Sequence, residues 1–200
     1  MHFWDQQFAL EGFKYGTAPN AFLAQQAHRL APGSQVLVPG DGEGRNGVWL
    51  AQQGHQVTAV DNSQVGLDKA LGLAAQRGVD IRTIHADLAQ WQPQDASVDA
   101  VVLVYLHLPA VLRPGVHRRL LQALRPGGWW ILEAFHPEQL QHSSGGPKDL
   151  AMLMTPEGLA AEVGEGLETV LSWSGETELD EGPGHQGLAH VTRWVAQKRA

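Results

Sequence analysis

The stretch VLVPGDGEGRNGVWLA, residues 36–51, places four glycines within eight residues, directly after a short apolar run. Glycine lets the backbone turn sharply and lets a ligand approach the main chain closely. Two binding patterns overlap here: Gly40-x-Gly42-x-Gly44 suits a nucleoside, whereas Gly42-x-Gly44-x-x-Gly47 matches the dinucleotide fingerprint. This segment, the glycine turn (residues 40–47), therefore predicts a nucleoside-containing ligand. A tight strand-to-helix turn is the alternative role for Gly40 and Gly44, and packing inside the following helix is favoured for Gly47.

Carboxylates around the glycine turn narrow the class of ligand. A diphosphate favours a helix N-terminus free of negative charge, but this turn carries Asp41 and Glu43. S-adenosylmethionine has an amino group and a sulfonium and lacks phosphate, so acidic side chains favour it over NAD. Asp61 ends the next apolar run, about 20 residues on, where a carboxylate accepts hydrogen bonds from both ribose hydroxyls. The residues favour S-adenosylmethionine as the cofactor, and a helix cap is the alternative role for Asp61.

Further cofactor contacts are expected where other strands end. In HADLAQW, Asp87 is placed to accept a hydrogen bond from an adenine amino group while the amide of Leu88 donates to the ring. An ordinary surface carboxylate is the alternative for Asp87. Asn62, Val104 and Tyr105 stand at the ends of neighbouring strands and complete the predicted cofactor site.

A regular alternation of strands and helices must position these residues. The predicted strands are residues 36–39, 56–60, 79–86, 98–106 and 129–135, with helices over 44–53, 63–76 and 109–124 between them. Such alternation predicts parallel strands whose carboxyl ends share one edge of the sheet. After a helix over 155–163, strands 167–179 and 188–196 are joined by DEGPGHQG and must be antiparallel. The predicted fold is α/β: a doubly wound, seven-stranded Rossmann-like sheet, mostly parallel, with a C-terminal antiparallel hairpin.

Several stretches carry a resemblance to a known family: WDQQF and YGTAPNAFLA, PGDGEGRNGVWLAQQGHQVTAVD, HLP, and LRPGGWWILEAF. The chain resembles class I S-adenosylmethionine-dependent methyltransferases, and more narrowly the bacterial tellurite-resistance and thiopurine methyltransferase-like group. The resemblance implies that Gly40, Asp41, Gly42 and Gly44 line the cofactor, that Asp61 holds ribose, and that Asp87 and Leu88 frame adenine.

A length of 200 residues suits one domain. We divide it into an N-terminal lid (1–30), a cofactor-binding core (31–136) and an acceptor-side segment with the hairpin (137–200). The resemblance implies that the lid brings Tyr15 and Gly16 near the methionine end of the cofactor. Many class I enzymes carry an acidic residue where this chain has Val38, so Asp41 or Glu43 is expected to hold the amino group instead.

Methyl transfer is an in-line displacement, in which the protein holds nucleophile, methyl and sulfur in a row and excludes water. A chalcogen anion or a thiolate needs no strong base, whereas an amine or hydroxyl acceptor needs one, most often histidine. The candidates for the acceptor site are His107, His136, His185 and Tyr15. For His107, a histidine satisfied by loop carbonyls is the alternative interpretation.

The roles of Arg45 and of a glycine-rich segment each have two possible interpretations. Arg45 is expected either to hold an anionic acceptor or to pair with Glu43. The glycine-rich segment SSGGPKDL, residues 143–150, is expected to be either a mobile flap in which Lys148 draws in an anion, or an ordinary solvated loop.

Composition limits the possible partners. The net charge of −7 offers no basic face to nucleic acid, and no apolar run has the length of a membrane span. The chain has no cysteine, which fits a reducing cytoplasm, and its 10 histidines show no metal-site spacing, so no metal is predicted. The expected partner is a small-molecule methyl acceptor, and the resemblance implies a chalcogen oxyanion or a thiol. The protein is expected to be a monomer or a homodimer. A non-catalytic cofactor sensor and an NAD-dependent oxidoreductase are the alternatives.

Overall fold

Seven strands form one sheet in the order β3-β2-β1-β4-β5-β7-β6 in the computed structural model, which describes residues 3–199. The strands are β1 (Gln35–Pro39), β2 (Gln56–Asp61), β3 (Arg82–His85), β4 (Val98–Val104), β5 (Leu124–Phe135), β6 (Leu167–Asp180) and β7 (Gln186–Lys198). The first five run parallel, whereas β7 is antiparallel to both β5 and β6. This topology confirms the predicted sheet and its C-terminal hairpin. Met1, His2 and Ala200, which belong to the predicted domain, lie outside the described residues.

Helices cover both faces of this sheet. They are α1 (Phe3–Phe8), α2 (Ala21–Gln26), α3 (Arg45–Gln52), α4 (Gln64–Arg77), α5 (Arg113–Ala123) and α6 (Pro156–Val163). In β1, Leu37 packs in the core that α5 and α6 share, whereas Val36 and Val38 pack in the core with α2 and α3. Alternate residues of a strand point to opposite faces, so β1 is buried on both sides.

Local sequence signals set several helix ends where they are predicted. Ser63 Oγ accepts a hydrogen bond from the amide of Gly66 at 3.1 Å at the start of α4, and Gly78 ends this helix with φ of 68°. The hydroxyl of Thr155 accepts from the amide of Gly158 at 3.0 Å at the start of α6. Among the described residues, the helices are too short or too polar to cross a bilayer.

Two predicted strand boundaries are wrong. β4 ends at Val104 rather than at residue 106, because Tyr105 adopts a left-handed conformation with φ of 51° and leaves the sheet. β5 begins at Leu124 rather than after the RPGG turn, because the β4–β5 ladder continues across that turn through an irregular register. The turn at Tyr105 matters for function, because it directs the chain over the carboxyl edge of the sheet.

Other boundaries also differ from the sequence prediction. β3 covers only Arg82–His85, and α5 begins at Arg113 rather than at residue 109, with Pro114 in its first turn. A proline in the first turn costs no helical hydrogen bond, so Pro114 is compatible with a helix that starts at Arg113. The two N-terminal helices α1 and α2 are not predicted from the sequence, since each has only six residues.

Candidate functional site

A cavity of about 610 Å³ lies over the edge where the carboxyl ends of the parallel strands meet, and this volume is typical of small-molecule sites. Most of the predicted site residues lie in its wall: Tyr15, Gly40, Asp41, Gly42, Asp61, Asn62, Asp87, Leu88, Val104, Tyr105, His107 and His185. Glu43, Gly44 and His136 are also predicted site residues, but the structure places them outside this wall.

The glycine turn adopts a backbone that only glycine takes readily. Gly40, Gly42 and Gly44 have φ values of 70°, 57° and 88°. The amide of Gly40 donates to the carbonyl of Val60 at 2.7 Å, which ties the turn to β2. A Cβ atom on Gly44 would lie 2.5 Å from Cβ of Ala70, so this glycine serves the packing of α3 against α4 rather than the cavity.

The carboxylate of Asp41 accepts a hydrogen bond from within the glycine turn itself. Its two carboxylate oxygens each lie 3.2 Å from the amide nitrogen of Gly47, in the first turn of α3. Burial raises the pKa of Asp41 to about 7. The same contact explains Gly47, because a Cβ atom there would lie 2.3 Å from Asp41 Oδ2.

Asp61 closes β2 and braces the turn from the other side. Its Oδ2 accepts from the amide of Gly42 and its Oδ1 from the amide of Ser63, both at 2.9 Å. Burial raises the pKa of Asp61. The amide of Asn62 also favours the charged form of this carboxyl. A carboxylate offers about four acceptor positions in all, so Asp61 can still accept from a ligand hydroxyl.

Asp87, Leu88 and Asn62 also lie in the cavity wall. Asn62 follows β2, and Asp87 and Leu88 follow β3, which neighbours β2 in the sheet. Asp87 is exposed, and its carboxylate accepts from the amide of Ala89 at 2.8 Å. Leu88 is buried, and its carbonyl accepts from the guanidinium of Arg119 at 2.6 Å. These contacts fix the loop after β3 against α5.

Glu43 points toward the N-terminal segment instead of the cavity. Its carboxylate accepts from the amide of Lys14 at 2.7 Å and from Lys69 Nζ at 2.8 Å. Lys69 Nζ also donates to the carbonyls of Leu10 and Gly12. The expected alternative of an Arg45–Glu43 pair is therefore wrong, because Glu43 forms its salt bridge with Lys69 and Arg45 forms one with Glu181.

The N-terminal segment contributes Phe3, Trp4 and Phe8 to the cavity wall, with Trp4 and Phe8 stacked at 5.4 Å between ring centroids. The carbonyl of Lys14 accepts from the amide of Gly184 in the β6–β7 turn at 2.8 Å. A Cβ atom on Gly184 would lie 2.4 Å from the ring of Tyr15. The segment is thus held by α4 on one side and by the hairpin on the other.

Four aromatic rings form a second group in the wall, the ring cluster of Tyr15, Tyr105, Phe135 and His185. Tyr105 stacks on Phe135 at 4.6 Å, and His185 lies 4.4 Å from Tyr15 and 4.5 Å from Tyr105 between centroids. Burial raises the pKa of Tyr15 to about 12 and that of Tyr105 well above 10. Both phenols therefore stay protonated at neutral pH.

Both ring nitrogens of His107 have backbone partners. The amide of Phe135 donates to Nε2 at 3.1 Å, which leaves Nδ1 to donate to the carbonyl of Tyr105 at 3.0 Å. Burial lowers the pKa of His107 to about 3. The ring joins the ends of β4 and β5 as a neutral group, so the geometry favours the alternative of a satisfied histidine over an acceptor base.

A buried polar network behind the ring cluster has no counterpart in the sequence prediction. Arg45 donates to Glu181 Oε2 at 2.8 Å, and Asn20 Nδ2 bridges Glu181 Oε1 at 2.8 Å and Glu133 Oε1 at 2.7 Å. The hydroxyl of Tyr105 also donates to Glu133, at 2.8 Å. A glutamate within the apolar strand WWILEAF is the one sequence signal that points to this network.

His136 lies outside the cavity, with its ring stacked on His190 at 4.6 Å. Together with Glu138 they form a group whose possible metal-ligating atoms lie within 4.8 Å of one another. This group escapes a search by helical spacing, because His190 comes from β7. Within this group, Nδ1 of His190 lies 2.9 Å from a carboxylate oxygen of Glu138.

The glycine-rich segment 143–150 contributes Gly145, Gly146 and Pro147 to the wall, whereas Lys148 is exposed. Its first residues are held in place, because the buried Gln139 donates to Ser144 Oγ at 2.9 Å and to the carbonyl of Gly145 at 3.1 Å. This part of the segment is therefore packed against the site rather than solvated.

Comparison with known proteins shows a similarity to methyltransferases. Residues 36–128 match the sequence profile of a methyltransferase domain family. A 2-heptyl-1-hydroxyquinolin-4(1H)-one methyltransferase from Mycobacteroides abscessus is 27% identical over 115 residues, which cover 56% of this chain and 51% of that protein. The chain thus spans about half the length of this curated relative.

Solved structures share the fold. TehB from Haemophilus influenzae superposes with a TM-score of 0.72 at 18% identity, covering 98% of this chain and 66% of TehB. The 1,6-didemethyltoxoflavin-N1-methyltransferase of Burkholderia thailandensis, solved with 1,6-didemethyltoxoflavin and S-adenosylhomocysteine, gives 0.66 at 21% identity, covering 88% and 76%. At such identities the likeness shows the fold.

Proposed function

We propose that this chain, part of which matches a methyltransferase domain family, is a class I S-adenosylmethionine-dependent methyltransferase that acts on a small-molecule acceptor in the cytoplasm. One observation carries the proposal: a single cavity joins the glycine turn and Asp61 to the ring cluster. The first group suits a nucleoside, and the second suits an organic acceptor. A site that holds both molecules side by side is what a transferase needs.

The charges near the glycine turn fit S-adenosylmethionine better than a dinucleotide. Asp41 and Asp61 offer carboxylates to a cation and to ribose. Arg45, which lies in the same wall, is already paired with Glu181, and Lys14 Nζ donates to Gln7 at 2.9 Å. The carboxyl side chains of Asp41, Asp61 and Asp87 outnumber these two cations in the described wall, so the wall favours a cationic ligand over a diphosphate.

When bound, the cofactor supplies a methyl group made electrophilic by its sulfonium sulfur. The protein's own residues orient the acceptor and exclude water. Phe3, Trp4 and Phe8 cover the cavity from the N-terminal segment, and Glu43 holds that segment down through the amide of Lys14. Such a cover supports displacement in a dry site, where charges interact more strongly. We therefore regard residues 3–16 as a lid.

Two classes of acceptor fit this domain. A chalcogen oxyanion or thiol, which the resemblance implies, needs no base. A hydroxyl or N–H acceptor needs a base beside the methyl group. A cofactor sensor without turnover is the alternative from another functional class.

Calorimetry with S-adenosylmethionine, S-adenosylhomocysteine and NAD tests the cofactor. Transfer of a labelled methyl group to tellurite, selenite, thiols, thiopurines, amines and aromatic hydroxyl compounds tests the reaction. We expect binding of the two adenosyl compounds and turnover of at least one acceptor. Binding without turnover across the panel favours the sensor, and binding of NAD alone contradicts the proposal.

A further inference from the structure

Glu181 and His185 flank the tight turn that joins β6 to β7. The amide of Glu181 donates to the carbonyl of His185 at 2.9 Å, and the amide of His185 donates to the carbonyl of Gly182 at 3.2 Å. These backbone hydrogen bonds hold the two side chains on one rigid turn. Both side chains are buried, and His185 lies in the cavity wall.

The imidazole of His185 has a carboxylate behind it. Its Nδ1 lies 3.6 Å from Glu181 Oε2 and is buried without a hydrogen-bond partner. Catalytic hydrogen bonds are often this long before the substrate binds. Shortening the contact lets Nδ1–H donate to Glu181, which makes Nε2 the nitrogen with a free lone pair.

Glu181 is held as a charged group. Its Oε2 accepts from Arg45 at 2.8 Å and its Oε1 from Asn20 at 2.8 Å. Although burial opposes ionisation, His185 and Arg45 outweigh it and lower the pKa of Glu181 to about 2. Burial lowers the pKa of His185, so its ring is neutral and able to accept a proton at pH 7. The charged and titratable groups around this ring are Arg45, Glu133, Glu181, His107, Tyr15 and Tyr105.

The other candidates cannot serve as the base in this wall. His107 has both nitrogens bound to backbone, and the hydroxyl of Tyr105 is directed at Glu133. His136 is outside the cavity, and Tyr15 holds its proton to a pH of about 12. Only His185, among the described candidates, combines a carboxylate partner with a place in the wall.

The surroundings of His185 also restrict the acceptor. Aromatic rings of Tyr15, Tyr105 and Phe135 surround it, and Leu108 and Met152 add apolar surface to the same cavity. Flat rings offer stacking to an aromatic ligand, and they lie directly around the imidazole.

We propose that His185 is the general base of the transfer, that Glu181 positions it, and that the acceptor is an aromatic compound with an ionisable hydroxyl or ring N–H. This inference rests on the proposed function. The acceptor's O–H or N–H proton passes to Nε2 of His185 while its lone pair forms the bond to the methyl carbon. The carbon–sulfur bond breaks, its electron pair stays on sulfur, and the imidazolium returns its proton to solvent.

Matched acceptors that differ in one atom test the base. 2-Naphthol needs its proton removed, whereas 2-naphthalenethiol is ionised without help at pH 8; 8-hydroxyquinoline and benzimidazole extend the panel. We expect His185→Gln to lower turnover of 2-naphthol about 100-fold or more but that of the thiol less than about 10-fold. His28→Gln, at an exposed histidine, is the matched control and leaves both rates unchanged.

The positioning role of Glu181 has its own readout in the free protein. We expect Glu181→Gln to lower the pKa of His185 further, measured by nitrogen-15 NMR, because the carboxylate favours the charged ring. Turnover of 2-naphthol should fall while the dissociation constant for S-adenosylmethionine changes less than about 3-fold. An unchanged pKa of His185 in this variant overturns the positioning role.

Calorimetry separates failure of this inference from failure of the proposed function. A protein that does not bind S-adenosylmethionine overturns the proposed function. A protein that binds it but methylates none of the hydroxyl or N–H probes, or that loses thiol and hydroxyl turnover equally in His185→Gln while still folded and binding the cofactor, overturns the inference alone. Selective loss of 2-naphthol turnover supports it.

Discussion

The amide nitrogen of Gly47 lies 3.2 Å from each carboxylate oxygen of Asp41, a distance that a side chain on residue 47 would not allow. Gly44, at the N-cap of α3, has no side chain to pair with this amide, so Asp41 takes that role from three residues earlier. The last glycine of the motif therefore serves the turn itself, so its presence does not distinguish a dinucleotide from another nucleoside ligand.

Replacing Gly47 by alanine should lower the free energy of unfolding by about 1–2 kcal/mol, because Asp41 must turn away and leave the helix amide unpaired. Urea denaturation measures this loss. Gly72 is the matched control, since it lies within α4 and a Cβ atom there meets nothing within 4 Å. Gly72→Ala should stabilise the protein by about 0.5–1 kcal/mol. Equal stability of the two variants would contradict the packing role of Gly47.

Asp61→Asn should raise the dissociation constant for S-adenosylmethionine about 10- to 100-fold, which corresponds to about 1–3 kcal/mol for a hydrogen bond to a charged group. The physical reason is that the ribose hydroxyls are expected to donate to the acceptor positions that the amides of Gly42 and Ser63 leave open on this carboxylate. Isothermal calorimetry measures the change, and Asp68→Asn, at an exposed position of α4, is the control. An unchanged dissociation constant would remove Asp61 from the site.

The cofactor half of the site is predictable because its residues are close in sequence. The glycine turn, Asp61 and Asp87 follow successive strands, and the βαβ topology alone brings the ends of those strands together. The helix caps at Ser63 and Thr155 are equally local, since each needs only the next three residues.

The acceptor half is less predictable because its contacts are distant in sequence. Asn20 bridges Glu133 and Glu181, which are 113 and 161 residues away. Nothing in local spacing indicates such a network. His107 shows the same limit: its sequence position suggests a reactive group, but the backbone of Tyr105 and Phe135 uses both of its nitrogens.

Glu43→Ala should loosen the lid at Lys14 without unfolding the domain. The carboxylate accepts from the amide of Lys14, so its loss frees Lys14 from the glycine turn, while Lys69 still holds the carbonyls of Leu10 and Gly12. We expect exchange of the Lys14 amide hydrogen to accelerate about 10-fold or more, since a bond to a charged group contributes about 1.5–3 kcal/mol. Hydrogen exchange followed by NMR measures it. Glu11→Ala, an exposed charge on the same segment, should leave the rate unchanged, and a similar rate in both variants would argue against the clamp.

The pH dependence of stability should report the burial of Asp41. Burial raises its pKa from 3.8 to about 7, so the folded state holds this proton more tightly than the unfolded state. The resulting stability is full below pH 4 and is lost as the pH rises through 7. Asp61 should also lower the stability as the pH rises, because burial raises its pKa too. Glu162 and Glu181 have pKa values lowered to about 2, so their contribution to stability is lost only as the pH falls below 4.5.

Asp41→Asn keeps an acceptor oxygen for the amide of Gly47 but cannot ionise. Between pH 5 and pH 8 we expect the unmodified protein to lose about 1–3 kcal/mol more unfolding free energy than this variant, because only its buried side chain becomes charged there. Urea denaturation at pH 5, 6, 7 and 8 measures both slopes, with Asp68→Asn expected to follow the unmodified protein. If Asp41→Asn retained the full slope, the carboxyl of Asp41 would be ionised throughout this range, and the turn would present a permanent negative charge to its ligand.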